Sequence, residues 1–241
     1  KRAEKILRES EEKFRMLVET AQELIWKCDD QGRFTYLNPA WEQTHGYKIE
    51  EMLGKSFSEF QTPEVFAREM QEFARHMAGG SVKGHESTHL AKDGSELTLL
   101  FNAIPLYDAA GQIVGTQGTA TDITERKQAE QQLYLQSSAL NAAANAIILT
   151  DVDGAIKWAN PAFTTLTGYS LEESINKNPR ELVKSGEQVQ TYYKNLWDTI
   201  LSGNVWHGEI LNRRKNESLY SEELTITPLK DADGTIRHFI A

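Results

Sequence analysis

Asn38-Pro39-Ala40-Trp41-Glu42-Gln43-Thr44-His45-Gly46-Tyr47 decides the fold, because its frame returns as Asn160-Pro161-Ala162-Phe163-Thr164-Thr165-Leu166-Thr167-Gly168-Tyr169. The Asn-Pro-Ala and the Gly-Tyr are both displaced by 122 residues. Further on, Lys92 matches Lys215 and Gly111 matches Gly234, a displacement of 123 that one inserted residue accounts for. A period this long belongs to a duplicated globular domain and is too long for a solenoid. The 241 residues agree, being long for one compact core and comfortable for two.

Working outward from that stretch, each copy shows the same order of elements. A β-rich run (Glu23 to Asp29; Ala146 to Asp151) meets a glycine turn and a second short strand (Phe34 to Leu37; Ile156 to Ala159), so the two pair as a hairpin. Asn-Pro then breaks the strand, Asn being able to cap a helix and Pro suiting its first turn. Short helices follow, to Gly54 and to about Asn178. A longer helix, Pro63 to Met77 or Gln188 to Leu201, ends at Gly79-Gly80 or Gly203. Three extended segments close the first copy (Val82 to Ala91, Glu96 to Leu106, Ile113 to Thr121) and three the second (Val205 to Arg213, Ser218 to Leu229, Thr235 onward). The strands come in two sequence-local groups with the helices between them. An α+β unit follows, a five-stranded antiparallel sheet with helices on one face.

This order, the Asn-Pro-Ala and Gly-Tyr, the Lys92-Asp93-Gly94 turn and the Asp122-Ile123-Thr124-Glu125-Arg126-Lys127 ending resemble the PAS family over nearly the full chain. The expected organisation is a helix over 1–20, a PAS domain over 21–124, a linking helix over 125–140 and a second PAS domain over 141–241. The resemblance implies a non-catalytic sensory input module of a signalling protein whose output is a histidine kinase or a cyclic-dinucleotide enzyme. Phe239-Ile240-Ala241 stops inside the last strand, and Lys1-x-Ala3-Glu4 echoes Lys127-x-Ala129-Glu130, so the chain reads as cut from something longer, with the output module elsewhere.

Composition narrows the class. Hydrophobic residues make up 39% and charged residues 25%, spread along the chain, which fits neither a disordered tail nor a membrane protein. No apolar run approaches a bilayer span and the N-terminus is not a secretory signal, so a cytoplasmic location without membrane insertion is expected. With 26 basic against 35 acidic residues the net charge is -9, and its field repels nucleic acid and anionic lipid. Cys28 is the sole cysteine, which excludes an internal disulfide, and its strand context reads as inert and half-buried.

His85-Glu86-Ser87-Thr88-His89 has the spacing of a zinc-protease motif, in which a helix brings both histidines to one metal. Here it reads as a strand, where four steps of ~3.3 Å separate the side chains by about 13 Å. One zinc, with ligand bonds of about 2 Å, cannot span that. No phosphate-binding loop, nucleophile elbow or kinase signature occurs.

The stretch Trp206-His207-Gly208-Glu209-Ile210-Leu211-Asn212-Arg213-Arg214-Lys215, followed by Leu219-Tyr220 and Glu222-Glu223-Leu224, resembles the flavin-binding PAS domains of redox regulators of nitrogen fixation and methane oxidation. The resemblance implies FAD between the sheet and the long helix of the second domain. By position, Trp197, Asn212 and Tyr220 would meet the isoalloxazine ring or the network beneath it. The chemistry suits: Trp197, Trp206, Phe163 and Tyr220 offer apolar faces, and Asn212 offers donor and acceptor to the ring edge, with Asn160 and Thr167 assisting. Arg180 would neutralise reduced flavin or reach the pyrophosphate. The first domain lacks the Asn-Cys-Arg motif of photoactive flavin domains and an early histidine on its long helix for haem, so its ligand stays unassigned. Equally open is a ligand-free scaffold, in which the same aromatics simply fill small cores.

Ala129, Leu133, Gln136 and Leu140 on the linking helix, and Leu7, Ser10, Phe14, Leu17 and Ala21 before the first domain, fall at steps of three and four. Each stripe either packs on its own domain or forms a parallel helix pair in a homodimer.

Overall fold

A computed structural model describes residues 2–241; Lys1, and with it the Lys1 part of the echo noted above, lies outside the described residues. The chain forms two compact units, divided within the linking helix between Gln131 and Gln132. The first comprises α1 (Arg2–Thr20), β1 (Leu24–Asp29), β2 (Phe34–Leu37), α2 (Ala40–His45), α3 (Ile49–Met52), a 3-10 turn (Phe57–Phe60), α4 (Pro63–Met77), β3 (Val82–Leu90), β4 (Glu96–Tyr107) and β5 (Ile113–Asp122). After α5 (Thr124–Ala142), the second comprises β6 (Ile148–Asp151), β7 (Ile156–Ala159), α6 (Pro161–Thr167), α7 (Leu171–Ser174), α8 (Pro179–Leu182), α9 (Gln190–Leu201), β8 (Trp206–Arg213), β9 (Leu219–Lys230) and β10 (Ile236–Ile240).

Both sheets are five-stranded with one topology, β2-β1-β5-β4-β3 and β7-β6-β10-β9-β8. All pairs are antiparallel, and the duplication holds in register: Cys28 faces Thr116 as Thr150 faces Phe239, and His89 faces Leu97 as Asn212 faces Tyr220. The first core gathers Leu24, Trp26, Phe34, Trp41, Met52 and Leu99. The second splits into Leu196, Ile200, Trp206 and Phe239 on one side and Ile156, Ala159 and Phe163 on the other.

Local chemistry sets the boundaries. Gly46 and Gly168 end α2 and α6 in the left-handed region, at φ +74° and +81°, where a side chain is strained. Asn160 caps α6 as expected, accepting from Phe163 N at 3.2 Å. Asn38 instead precedes Pro39, which occupies the cap of α2.

The two asparagines share a larger task. Asn38 Oδ1 accepts from Ile25 N (2.9 Å), while its Nδ2 donates to the carbonyls of Val18, Ala21 and Glu23 (3.1, 3.4 and 2.9 Å). Asn160 repeats the set with Ile147 N (2.9 Å) and the carbonyls of Leu140, Ala143 and Asn145 (3.2, 3.4 and 2.9 Å). One buried amide thus ties the end of the preceding helix to the start of the first strand, meeting carbonyls that a helix terminus leaves without partners.

The apolar stripes do not pack on their own units. Leu7, Phe14 and Leu17 are 60–70% exposed, Leu133 is 65% exposed, and neither α1 nor α5 contains a buried residue. Cys28, expected to be half-buried, is fully buried, and burial pushes its thiol pKa up so that it stays protonated. His85 and His89 lie on strand β3 as expected and turn to different partners, Glu69 and His45.

Candidate ligand cavities and the family of the chain

The second unit encloses a cavity of about 170 Å³ between its sheet and helices α6, α8 and α9. Of the eight residues singled out in the sequence, Phe163, Thr167, Arg180, Trp197, Asn212 and Tyr220 line it. Asn160 and Trp206 do not. The Asn160 amide is consumed by the helix-to-strand ties described above, with no donor or acceptor left for a ligand. Trp206 sits at the start of β8, where its Nε1 donates to Asn195 Oδ1 at 3.2 Å and its ring stands edge-on to Tyr192.

The polar wall of the cavity is built by strand alternation. Asn212 on β8 pairs across to Tyr220 on β9, and Glu222, two residues further, points to the same face. Asn212 is 4% exposed, and its Nδ2 donates to Glu222 Oε1 at 2.8 Å. Burial raises the Glu222 pKa, an effect that hydrogen bonds from Asn212 and Tyr220 oppose. Burial also raises the Tyr220 phenol, whose ring carries the Arg214 guanidinium 4.5 Å from its centroid.

Apolar walls face it. Trp197 meets Phe239 edge to face at 6.1 Å, and Phe163 enters from α6. Thr167 Oγ1 donates to Phe163 O at 2.8 Å, so its hydrogen is already spent within the helix. Gly154, at φ +82° in the β6–β7 turn, passes so close that a Cβ would lie 3.1 Å from Trp197 and 2.5 Å from Asn178 Nδ2. Arg180 and Lys184 are the lining cations, and Asn178, donating to Asp153 O at 3.0 Å, ties the start of α8 to that turn.

Sequence reading missed Glu222. Its alternation with Tyr220 was available, but a Glu-Glu pair on a strand reads as solvated.

In the first unit the equivalent space is smaller, about 80 Å³. Trp41 stacks on His45 (4.7 Å, 21°), and His45 Nε2 lies 3.2 Å from His89 Nδ1, all three at most 2% exposed. Burial holds both imidazoles far below their ordinary pKa, His45 at about 4 and His89 at about 3, so the pair is neutral.

A family model described as PAS fold matches residues 18–128, and one described as PAS domain matches residues 144–241. The chain belongs to the PAS family, with two domains in tandem. A nitrogen fixation regulatory protein of Klebsiella oxytoca is 39% identical over 99 residues, 41% of this chain and 20% of that protein. The methanogenesis regulatory histidine kinase FilI of Methanothrix harundinacea is 32% identical over 208 residues, 86% of this chain and 21% of that protein. Among solved structures, a PAS domain from Colwellia psychrerythraea is 23% identical, covering 47% of this chain and 97% of that one with a TM-score of 0.44. The chain spans about a fifth of the length of these curated relatives. Among the described residues, no helix is long and apolar enough to cross a membrane, and no group of three His, Cys, Asp or Glu is placed to hold a metal ion.

Proposed function

We propose that the chain is the sensory input region of a larger signalling protein and that its second PAS domain senses redox state through bound FAD. The observation that carries this reading is the polar wall of the second cavity, where the Asn212 amide and the Glu222 carboxyl lie side by side opposite Trp197 and Phe163.

The residues present fit the group. A flat heteroaromatic ring needs apolar faces and a few fixed donors and acceptors at its edge. Trp197, Phe163 and Tyr220 supply the faces. Asn212 Oδ1 is an acceptor beside an amide that already holds Glu222, so the edge would meet an amide and a carboxyl together. Arg180 and Lys184 carry the positive charge that a pyrophosphate requires.

FAD, when bound, supplies reversible uptake of electrons and protons, which is the chemistry of redox sensing. The protein's own part is to read the change. A different charge at the ring edge alters what Asn212 and Glu222 must donate or accept, and both sit on the strands β8 and β9 that lead to β10. The exposed stripes of α1 and α5 support homodimerisation through those helices as the means of relay. The output domain that receives the signal, a kinase or a cyclic-dinucleotide enzyme, is part of the same proposal.

The experiment is reconstitution of the purified chain with FAD followed by an absorption spectrum. Stoichiometric visible flavin absorption, lost in Asn212→Ala and Trp197→Ala, is expected. A folded chain that takes up no flavin overturns the FAD reading.

A further inference from the structure

Asn160 does not line the second cavity, yet it is joined to that cavity from behind. Its Oδ1 accepts from two backbone amides, Ile147 N at 2.9 Å and Phe163 N at 3.2 Å. Phe163 lines the cavity, and so do Ala146 and Ile148, the residues on either side of Ile147. The other half of the same amide, Nδ2, donates to the carbonyl of Leu140 in the last turn of α5 and to those of Ala143 and Asn145 just beyond it. One side chain, 1% exposed, thus holds the cavity wall by its oxygen and the helix end by its nitrogen.

A carboxamide is planar and rigid, so its two halves move together. A shift of α6 or of the start of β6 carries the oxygen with it, and the nitrogen must follow against three carbonyls. Each buried group left without a partner costs about 1–3 kcal/mol, which penalises any motion that separates the two sides. The link also has two arrangements open to it. The Phe163 N–H is shared between Asn160 Oδ1 and the Asn160 backbone carbonyl, the latter at 3.1 Å, so it can favour either acceptor while α6 stays formed. Coupling between sites needs such an element, one whose equilibrium both sides can bias.

The first domain has the tie and lacks the branch. Asn38 holds Ile25 and three upstream carbonyls in the same way, but Pro39 occupies the cap of α2 and no side chain caps that helix. Trp41 N, the counterpart of Phe163 N, donates to the Asn38 backbone carbonyl at 3.1 Å, and Trp41 does not line the smaller cavity. The side-chain amide therefore reaches the following helix in the domain with the larger cavity and not in the other.

We propose that Asn160 is the positioning residue through which the contents of the second cavity bear on the C-terminal end of α5. A guest that moves Phe163 or Ile148 shifts the Phe163 N–H between its two acceptors and changes the hold on Leu140, Ala143 and Asn145. Leu140 is the last residue of the exposed α5 stripe, so the change arrives at the surface that the relay would use. Linkage makes the effect reciprocal: strain at the end of α5 alters how firmly the cavity keeps its guest. The proposal rests on the sensory reading above for the presence of a guest, while the link itself is built from the protein's own hydrogen bonds.

The test is hydrogen exchange of the full chain, read at the amides of residues 140–145. Phe163→Leu alters the cavity side of the link and should change exchange there by about threefold or more, as expected for groups that share one network. Asn160→Asp keeps the oxygen and removes the donor. It should speed exchange at the same amides, and adding Phe163→Leu to it should then have no further effect. Asn160→Ser replaces it if circular dichroism shows a folding defect. In the first domain Trp41→Phe should leave the amides of residues 18–23 as they are. Saturating FAD should shift residues 140–145 in the natural chain and not in Asn160→Asp. An unchanged α5 end in Phe163→Leu, additive effects in the double variant, an equal response in the first domain, or a flavin-induced shift that survives Asn160→Asp would each overturn the proposal. Failure to take up flavin would overturn the FAD reading alone, and the substitutions would still decide this one.

Discussion

Trp41, His45 and His89 of the first domain stand where the second has Phe163, Thr167 and Asn212, at the same displacements of 122, 122 and 123 that define the repeat. The backbone and register are shared, yet one cavity is about 80 Å³ and the other about 170 Å³. Three large side chains, stacked and hydrogen-bonded to one another, fill in the first domain what smaller ones leave open in the second. Cavity volume in this chain is thus set by side-chain volume at a few inward positions, on a frame that does not itself change. The difference also changes polarity at these positions: the buried His45–His89 pair is neutral, whereas Asn212, in the place of His89, holds the Glu222 carboxyl.

The largest expected effect comes from removing the filler. Trp41→Ala deletes a side chain that is 0% exposed and should cost the first domain about 3–5 kcal/mol. Differential scanning calorimetry should show one transition falling while the other keeps its temperature. A shift in both would mean that the two cores are not energetically separate.

Acid is the next test of the comparison. His45 and His89 have folded pKa values of about 4 and about 3, below the ordinary histidine value of 6.5, so the unfolded chain binds protons more readily than the native one. Stability is therefore present above pH 6.5 and is lost as pH falls toward 4. The raised His85 pKa has the opposite sign: its contribution is complete below pH 6.5 and fades as pH rises through the folded value. Melting of the first domain from pH 7 to pH 4.5, alongside the His45→Thr, His89→Asn double variant, checks the acid limb. The variant, which copies the second domain, should flatten it.

The smallest effect is expected where the domains agree. Lys215 pairs with Glu173 and lies over the Tyr169 ring, as Lys92 pairs with Glu51 and lies over Tyr47. Both are exposed ion pairs, so Lys215→Ala and Lys92→Ala should each cost at most about 1 kcal/mol and by similar amounts. Unequal losses by calorimetry would show that the two turns support different interiors.

Much of the fold was legible because strand alternation, glycine stops and the repeated Asn-Pro-Ala are local signals. The strand reading of His85 to His89, for example, needed only its flanking glycines and turn. The site was legible in part. Asn212 and Tyr220 face the cavity because they share a parity across one ladder. Trp206 has that parity too but lies too near the strand's beginning, a depth that spacing along the chain does not encode. Asn160 looked like a helix cap with capacity to spare, whereas carbonyls 15, 17 and 20 residues upstream take up its amide. His45 and His89 are 44 residues apart, and their contact is a product of tertiary packing alone.

Those asparagine ties have a consequence for how the chain can change length. Asn38 reaches back 20, 17 and 15 residues, and Asn160 reaches back the same three distances. The one-residue difference between the repeats falls elsewhere, between Tyr47 and Lys92 of the first and their counterparts in the second. An insertion or deletion anywhere from the helix end to the asparagine would slide three carbonyls off one amide at once. That segment is length-locked, while the loops around the long helix are free to drift.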